Sequence, residues 1–297
     1  MPGLPPIHRW DSVSQPRAGV HILHGMAEHG GRYARFAADL NRAGFVVWAH
    51  DHRGHGTNAT PPDGLGHFGD SDGWRALVGD AWAVSERMLV TFPRLPLVLF
   101  AHSMGSFLGQ TLMAERGTAY RAVVLSGTNG PPGIQEVLAR GLAHAQYAAL
   151  GGRRPGKWLD KAVMGTYNRR FAPNRTKFDW LSRDEREVDA YAADPLCGFT
   201  LTTQSWLDFL TAKGLLGDVV HLRRIPRALP VHLIAGTRDP VGEESRGVER
   251  LLRAYNEAGL ARVTYRFYDG ARHELVNETN RDEVTRDLID VLGQLGC

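Results

Sequence analysis

Leu97-Val98-Leu99-Phe100-Ala101-His102-Ser103-Met104-Gly105-Ser106 is the stretch on which the reading of this chain turns. Its four opening apolar residues suit a strand buried on both faces of a sheet. Met104 to Arg116 then carries apolar residues at three- and four-residue intervals, the period of a helix packed on one side. A strand that stops at a serine and restarts as a helix turns sharply at that serine. The turn lifts the hydroxyl above the end of the sheet, and small residues two positions to either side prevent a clash. Gly105 supplies one of them, while Ala101 stands where glycine is usual and adds only a methyl group. Ser103 is therefore a candidate nucleophile. The competing reading is a serine that merely caps the following helix. His102, its neighbour in sequence, points elsewhere and reads as structural.

Outward from this turn, short runs of Val, Ile, Leu and Phe alternate with longer amphipathic stretches. That rhythm belongs to an α/β fold with a mostly parallel central sheet and crossover helices on both faces. Strands are expected at Val20 to Leu23, Phe45 to Ala49, Leu97 to Ala101, Ala122 to Ser126, Val231 to Ala235 and Val263 to Tyr268. A shorter edge strand is expected at Ile7 to Trp10. Arg32 to Ala43, Trp74 to Phe92, Met104 to Arg116, Glu243 to Ala258 and Arg281 to Leu295 read as helices. Between Thr128 and Pro226 the rhythm breaks into helical patterns alone: Ile134 to Leu150, Lys157 to Arg170, Ser182 to Ala193 with Ser182 and Glu185 as a capping box, and Thr200 to Lys213 ended by Gly214. The expected organisation is a core of residues 1–127 and 227–297 with a helical cap of residues 128–226. A strand count puts this insertion between the sixth and seventh strands, over the carboxyl edge where open α/β sheets bind ligands.

Three further loops fall at that edge. His24-Gly25-Met26 follows the strand ending at Leu23, so the backbone amides of Met26 and Met104 are the two candidate donors to an oxyanion. Preorganised donors of this sort lower a barrier by about 3 kcal/mol each. The plainer reading of the loop is a turn in which Gly25 takes a positive φ. Gly236-Thr237-Arg238-Asp239-Pro240 places a carboxylate just past one strand, and Tyr268-Asp269-Gly270-Ala271-Arg272-His273-Glu274 places a histidine just past the last. Of the thirteen histidines, His273 alone follows the last strand. It is the candidate general base, with Asp239 orienting it, and Asp269 on the same turn is the rival acid. Serine, aspartate, histidine is the chain order of the α/β-hydrolase fold, and not that of the chymotrypsin or subtilisin folds.

Composition narrows the classes. At 297 residues and 43% hydrophobic content the chain buries a large core. The formal charge of +3 is small, and the Arg residues are scattered among Asp and Glu, so no stripe for a nucleic acid is seen. Cys197 and Cys297 show neither a disulfide framework nor metal-ligand spacing. The amino end, with Pro2, Pro5 and Pro6, has no apolar run long enough for a signal-peptide core, and no stretch approaches the roughly 20 apolar residues of a membrane span. A cytoplasmic protein is expected. A metal site at His50, His52 and His55 would need carboxylate or thiolate support and is not expected. The oligomeric state is not encoded in any pattern visible here.

With these pieces in hand the chain resembles the monoacylglycerol lipase and lysophospholipase branch of the α/β hydrolases, the serine aminopeptidase S33-like hydrolases. His24-Gly25-Met26-Ala27-Glu28-His29 with Gly31-Arg32-Tyr33 is similar to that branch's oxyanion segment. Asp51-His52-Arg53-Gly54-His55-Gly56 is similar to its D-x-R-G-x-G turn, Ala101 to Gly105 to its elbow apart from Ala101, and Gly236 to Asp239 and Gly270 to Glu274 to its acid and histidine loops. Measured against the family's usual eight-stranded sheet, the first strand or two are expected to be missing. The resemblance implies that Glu28, Asp51, Arg53 and His55 brace the loops around the site. It implies a serine hydrolase that cleaves a carboxylic ester with one long acyl chain and a small polar alcohol through an acyl-enzyme, with no cofactor and no metal. Trp158, Phe171, Phe178, Trp180, Tyr191, Phe199, Trp206 and Phe209 of the cap would line the acyl site or seat the cap on the core. A lipid substrate would be compatible with transient contact of the cap with a membrane surface, although no dominant basic amphipathic helix is seen. Two other readings compete: a peptidase or amidase of the same fold, with Glu185, Glu187 or Asp189 holding a substrate amine, and a non-catalytic binding protein.

Overall fold

In this computed structural model residues 3–59 and 64–297 are described; Met1 and Pro2, read above with the amino end, lie outside them. Ile7–Trp10 (β1), Ala18–Leu23 (β2), Phe45–His50 (β3), Leu97–His102 (β4), Ala122–Ser126 (β5), Val231–Gly236 (β6) and Val263–Tyr268 (β7) form one sheet in the order β1-β3-β2-β4-β5-β6-β7. β1 runs antiparallel along β3, with Ile7 opposite His50, and every other pair is parallel. Every residue of β2 to β6 is buried, which is why these strands read as apolar runs rather than alternating ones.

The alternation survives in which face each residue serves. Val20, Ile22, Val98, Phe100 and Ile234 share one core with Ala34–Arg42 (α1) and Arg281–Gln294 (α11) through Phe36, Leu40, Val284 and Leu288. Leu97, Leu99, Leu125, Leu233 and Ala235 share the other with Gly73–Thr91 (α2), Met104–Arg116 (α3) and Arg246–Ala258 (α10) through Leu77, Phe107, Leu112, Val248 and Leu251.

The block between the strands at Ser126 and Val231 contains no strand; it is made of helices at Ile134–Leu150 (α4), Lys157–Ala162 (α5), Met164–Arg169 (α6), Glu185–Ala193 (α7), Thr203–Leu215 (α8) and Val219–Leu222 (α9). It lies between β5 and β6, so the count that put it after a sixth strand was one too high. Several boundaries also differ. Lys157 to Arg170 is broken into two helices at Val163. Ser182 does not cap α7: its hydroxyl donates to Asn277 O at 2.9 Å, and Asp184 is the N-cap. Gly214 lies inside α8 rather than ending it, and Thr202 caps the start of that helix. α10 begins at Arg246 because Glu243, Glu244 and Ser245 all hold positive φ, which no helix accepts.

At the carboxyl edge β6 meets the histidine loop at Gly236. A Cβ there would overlap the carbonyl oxygens of Ala271 and Arg272, so β6 ends in glycine to let that loop cross it. Gly236→Ala is expected to destabilise the fold by about 2–3 kcal/mol, as over-packed sites do. Urea unfolding of the variant, with an unchanged slope and a lower midpoint, is the measurement that checks it.

Candidate active site

Ser103 joins β4 to α3 with φ 52° and ψ −121°, a conformation that side-chain-bearing residues avoid. Its surroundings hold it there. Ser103 N–H donates to Ser126 O at 2.9 Å, and its carbonyl accepts from Ser106 N at 2.8 Å and Ser106 Oγ at 2.6 Å. A Cβ at Gly105 would overlap the carbonyls of Leu23 and His24, so only glycine lets α3 start this close to the end of β2. The Ala101 methyl is matched by Gly109 on α3, where an added Cβ would lie 3.0 Å from it. Ser103 stands at the N-cap position, yet its side chain makes no capping hydrogen bond, so the capping reading fails.

The turn after β2 lies directly beside the elbow. A Cβ on Gly25 would sit 3.2 Å from Ser103 Cβ and 3.3 Å from His102 Cδ2. Close approach, not a positive φ, therefore demands glycine here; the positive φ of this turn, 55°, belongs to Ala27. Among the described residues neither the Met26 nor the Met104 backbone N–H has a hydrogen-bond partner, and both residues line the same cavity as Ser103.

Asp239 and His273 are in direct contact. His273 Nδ1 donates to the Asp239 carboxylate, 3.0 Å from each oxygen, and Val241 N–H donates to Oδ1 at 2.9 Å. Both side chains are buried. Burial alone would lower the pKa of the imidazole, but the charge and hydrogen bond of Asp239 outweigh it and raise the value above 6.5. The ring lies over Gly127, where an added Cβ would be 2.8 Å from Cε1. Asp269 is exposed and accepts from Thr237 Oγ1 at 3.2 Å, which leaves Asp239 as the partner of His273. Ser103 and His273 line the same cavity, but no hydrogen bond joins the Ser103 hydroxyl to the imidazole in this structure. His102 does not point elsewhere: its ring packs 4.7 Å from that of His273, and burial lowers its pKa to about 3.

Behind the loops lies an ion cluster that spacing does not reveal. Arg32 donates from Nη1 to Glu28 Oε2 at 2.6 Å and to Glu274 Oε1 at 2.7 Å, and from Nη2 to Glu274 Oε2 at 2.8 Å. Gly25 N–H and Tyr33 OH complete Glu28 at 2.5 and 3.0 Å. Burial pushes both carboxyls up. The two-pronged contact with Arg32 overrides burial at Glu274 and holds it at about 2, whereas Glu28, with one Arg32 contact, stays raised. Asp51 plays the bracing part expected of it, accepting from Gly30 N, Thr57 N and Thr57 Oγ1 at 2.8 to 2.9 Å. Arg53 pairs with Asp80 at 2.6 Å, and His55 Nδ1 donates to Arg53 O at 2.9 Å. His50 and His52 bond to each other at 3.1 Å rather than converging with His55 on a metal.

The cavity above these groups has a volume of about 1010 Å³, at the upper end for small-molecule sites. Phe178, Trp180, Tyr191, Phe199, Trp206 and Phe209 line it, whereas Trp158 is exposed and Phe171 packs under the Arg272 guanidinium. Glu185, Glu187 and Asp189 stay out of it, and Asp189 pairs with Arg175 at 2.6 Å.

A mostly parallel sheet with a strained serine after a central strand and a buried Asp–His pair at the same edge defines a serine hydrolase of the α/β-hydrolase fold. The profile of the serine aminopeptidase S33 family matches residues 14–280, and the chain belongs to that family. It is 29% identical over 287 residues to a monoacylglycerol lipase of Mycolicibacterium smegmatis, covering 94% of this chain and 89% of that one. It is 28% identical over 282 residues to the monoglyceride lipase of Mus musculus, covering 94% and 82%. Among solved structures, a thermostable carboxyl esterase from Bacillus coagulans in complex with glycerol superposes with a TM-score of 0.89 at 29% identity, over 98% of this chain and 94% of that one.

Arg32→Met leaves two buried carboxylates facing each other and is expected to cost about 3–5 kcal/mol at neutral pH. In the wild type Glu274 is depressed from 4.5 to about 2, so its stabilising share is complete above 4.5 and is lost as pH falls toward 2. Without Arg32 the same carboxyl titrates above 4.5, so the gap between variant and wild type should narrow on acidification. Thermal unfolding at pH 7.5 and pH 4 checks this; a gap that stays constant would reject the cluster as the cause.

Proposed function

We propose that this chain hydrolyses the ester of a monoacylglycerol, or of a lysophospholipid as the neighbouring class, through an acyl-enzyme formed on Ser103. The observation that carries the reading is His273, held by the buried Asp239, opening together with Ser103 onto one large cavity lined largely by apolar side chains. In the mechanism His273 Nε2 takes the Ser103 proton as Oγ attacks the ester carbonyl, and the oxyanion rests on the Met26 and Met104 N–H groups. The glycerol alcohol leaves with the proton from His273. Water, deprotonated by the same imidazole, then attacks the acyl-enzyme and releases the fatty acid and Ser103. Asp239 fixes the tautomer and stabilises the imidazolium. The Ser103–His273 contact is the one that substrate must tighten, as catalytic hydrogen bonds in free enzymes often require.

The cavity favours a lipid ester over a peptide. Each buried methylene contributes roughly 0.8 kcal/mol, so an acyl chain is rewarded for its length. A free amine would need an unpaired carboxylate, and the lining carboxylates are engaged: Glu136 with Lys213 at 2.9 Å, Asp160 with Trp206 Nε1 at 3.0 Å, Glu243 with Arg250 at 2.5 Å. The proposal includes the division into a core of residues 1–127 and 227–297 and a cap of 128–226. No helix among the described residues is long and apolar enough to cross a membrane. Val137, Leu138, Tyr147, Leu150 and Trp158 of the cap are all exposed, and we take them to dip into a membrane surface that presents the substrate. Cys197 and Cys297 are free thiols, which suits the cytoplasm.

A panel of monoacylglycerols, lysophospholipids, nitrophenyl esters of rising chain length and aminoacyl anilides tests this. Ser103→Ala should lower kcat by roughly a million-fold, as loss of a serine nucleophile does. Activity surviving that change would reject the nucleophile, and anilides outpacing every ester would favour the peptidase. Val137→Asp with Trp158→Asp, two exposed residues outside the cavity lining, should slow hydrolysis of monoacylglycerol in vesicles severalfold while leaving a soluble short-chain ester unaffected. An equal loss on both substrates would remove the membrane contact from the proposal.

A further inference from the structure

Four histidines buried behind the oxyanion turn, none used by the mechanism above, form a continuous hydrogen-bonded chain with two hydroxyls. Tyr120 OH lies 2.9 Å from Ser85 Oγ, and Ser85 Oγ lies 2.8 Å from His21 Nδ1. His21 Nε2 lies 3.0 Å from His50 Nδ1, His50 Nε2 lies 3.1 Å from His52 Nδ1, and His52 Nε2 lies 3.1 Å from the carbonyl oxygen of His24. His24 in turn accepts from His52 N–H at Nε2, 3.0 Å, and bonds through Nδ1 to Gly25 O at 2.8 Å. The imidazoles of His21, His24, His50 and His52 are wholly buried.

The direction of every bond follows from the ends. A carbonyl oxygen only accepts, so His52 carries its proton on Nε2 and accepts at Nδ1. His50 must then donate from Nε2 and accept at Nδ1, His21 likewise, Ser85 must donate to His21, and Tyr120 to Ser85. A backbone N–H only donates, so His24 accepts at Nε2 and donates from Nδ1 to Gly25 O. All four rings are neutral in this arrangement, in keeping with burial, which lowers His21 to about 3 and the others well below 6.5.

Two peptide planes are fixed as a result. The plane between His24 and Gly25 is held at its carbonyl by His52 and at its N–H by Glu28. The plane between Gly25 and Met26 is held at its carbonyl by His24, and in a trans peptide the N–H points the opposite way. That N–H is the unpartnered donor of Met26 beside Ser103.

We infer that the chain Tyr120–Ser85–His21–His50–His52, together with His24, is a positioning relay that holds the Met26 N–H toward the oxyanion. The inference rests on the proposed role of Met26. His21, Ser85 and Tyr120 touch neither substrate nor the reacting atoms and act only through the rings between. His21→Phe keeps a planar ring and removes the donor to His50; His21→Gln restores a donor at the reach of Nε2 and an acceptor for Ser85.

The experiment compares kcat, KM and the affinity of an alkyl boronic acid, which mimics the tetrahedral intermediate, in the wild type, His21→Phe, His21→Gln and Tyr120→Phe. A single oxyanion donor is worth roughly 10²–10³ in kcat, and loosening one should cost about tenfold or more. The expected result is that loss in kcat and in boronate affinity for His21→Phe at unchanged KM, a smaller loss for Tyr120→Phe, and recovery of most of it in His21→Gln. Unchanged kcat in folded His21→Phe, or no recovery with Gln, would overturn the relay. Should His21→Phe not fold, nitrogen-15 NMR of the wild type decides: protons on Nε2 of His21, His50 and His52 and on Nδ1 of His24 support the chain, and any other tautomer at His52 or His24 overturns it. Wild-type hydrolysis that persists in Ser103→Ala would instead overturn the function reading itself, so the two failures are distinguishable.

Discussion

A guanidinium withdrawn from water must be matched by charge, and Arg32 is matched by carboxylates from two different loops. Glu28 belongs to the turn that follows β2; Glu274 is the residue after His273. Neither loop can drift without leaving a buried charge uncompensated, so one interaction sets the spacing between the turn after β2 and the His273 imidazole. Tyr191 of α7 covers the guanidinium, 4.8 Å from its ring centre, and donates from its hydroxyl to Ala27 O at 2.8 Å. The helical block between β5 and β6 is thereby tied to the same point. The turn after β2, the histidine loop and α7 are thus held together at one buried cation.

The parts of this arrangement that were legible in the sequence are those whose meaning is local. Parallel strands buried on both faces write themselves as apolar runs, so β2 to β6 were visible. Ser103, Asp239 and His273 each follow their own strand, and a parallel sheet puts all such ends on one edge. The limits of the helices were less legible, because tertiary contacts set them. Ser182 has the sequence of a cap, but its hydroxyl is drawn to Asn277 O on the histidine loop, and Asp184 takes over. Gly214 reads as a stop signal, yet α8 runs through it to Leu215.

Arg32 and Glu274 stand 242 residues apart and meet through the fold alone. The resemblance marked Glu28 as a brace, but Glu274 is a charged residue directly after His273, a place where a solvated side chain would be unremarkable. His21 was hidden differently. In Ala18–Leu23 it is the single polar residue of an otherwise apolar strand, and an apolar run still reads as a strand with one such residue in it, whatever satisfies that residue. Its partner Ser85 lies on α2, and Tyr120, which bonds to Ser85, lies just before β5, so neither spacing nor period connects the three.

Why the interior should carry imidazoles at all is a question of stoichiometry. A buried polar group is tolerated only when its hydrogen-bonding capacity is filled. Lys and Arg donate without accepting and bring a charge; Ser and Thr are too short to bridge neighbouring strands. A neutral imidazole donates at one end and accepts at the other across its ring, so a row of them passes a hydrogen bond along with nothing left over. Such a row has two possible directions, and hydroxyls at both ends would leave them equal in kind. Here one end meets the His24 carbonyl, which cannot donate, and the degeneracy is removed. A sheet interior that is ordinarily silent about polarity thereby imposes a single orientation on the turn beside Ser103.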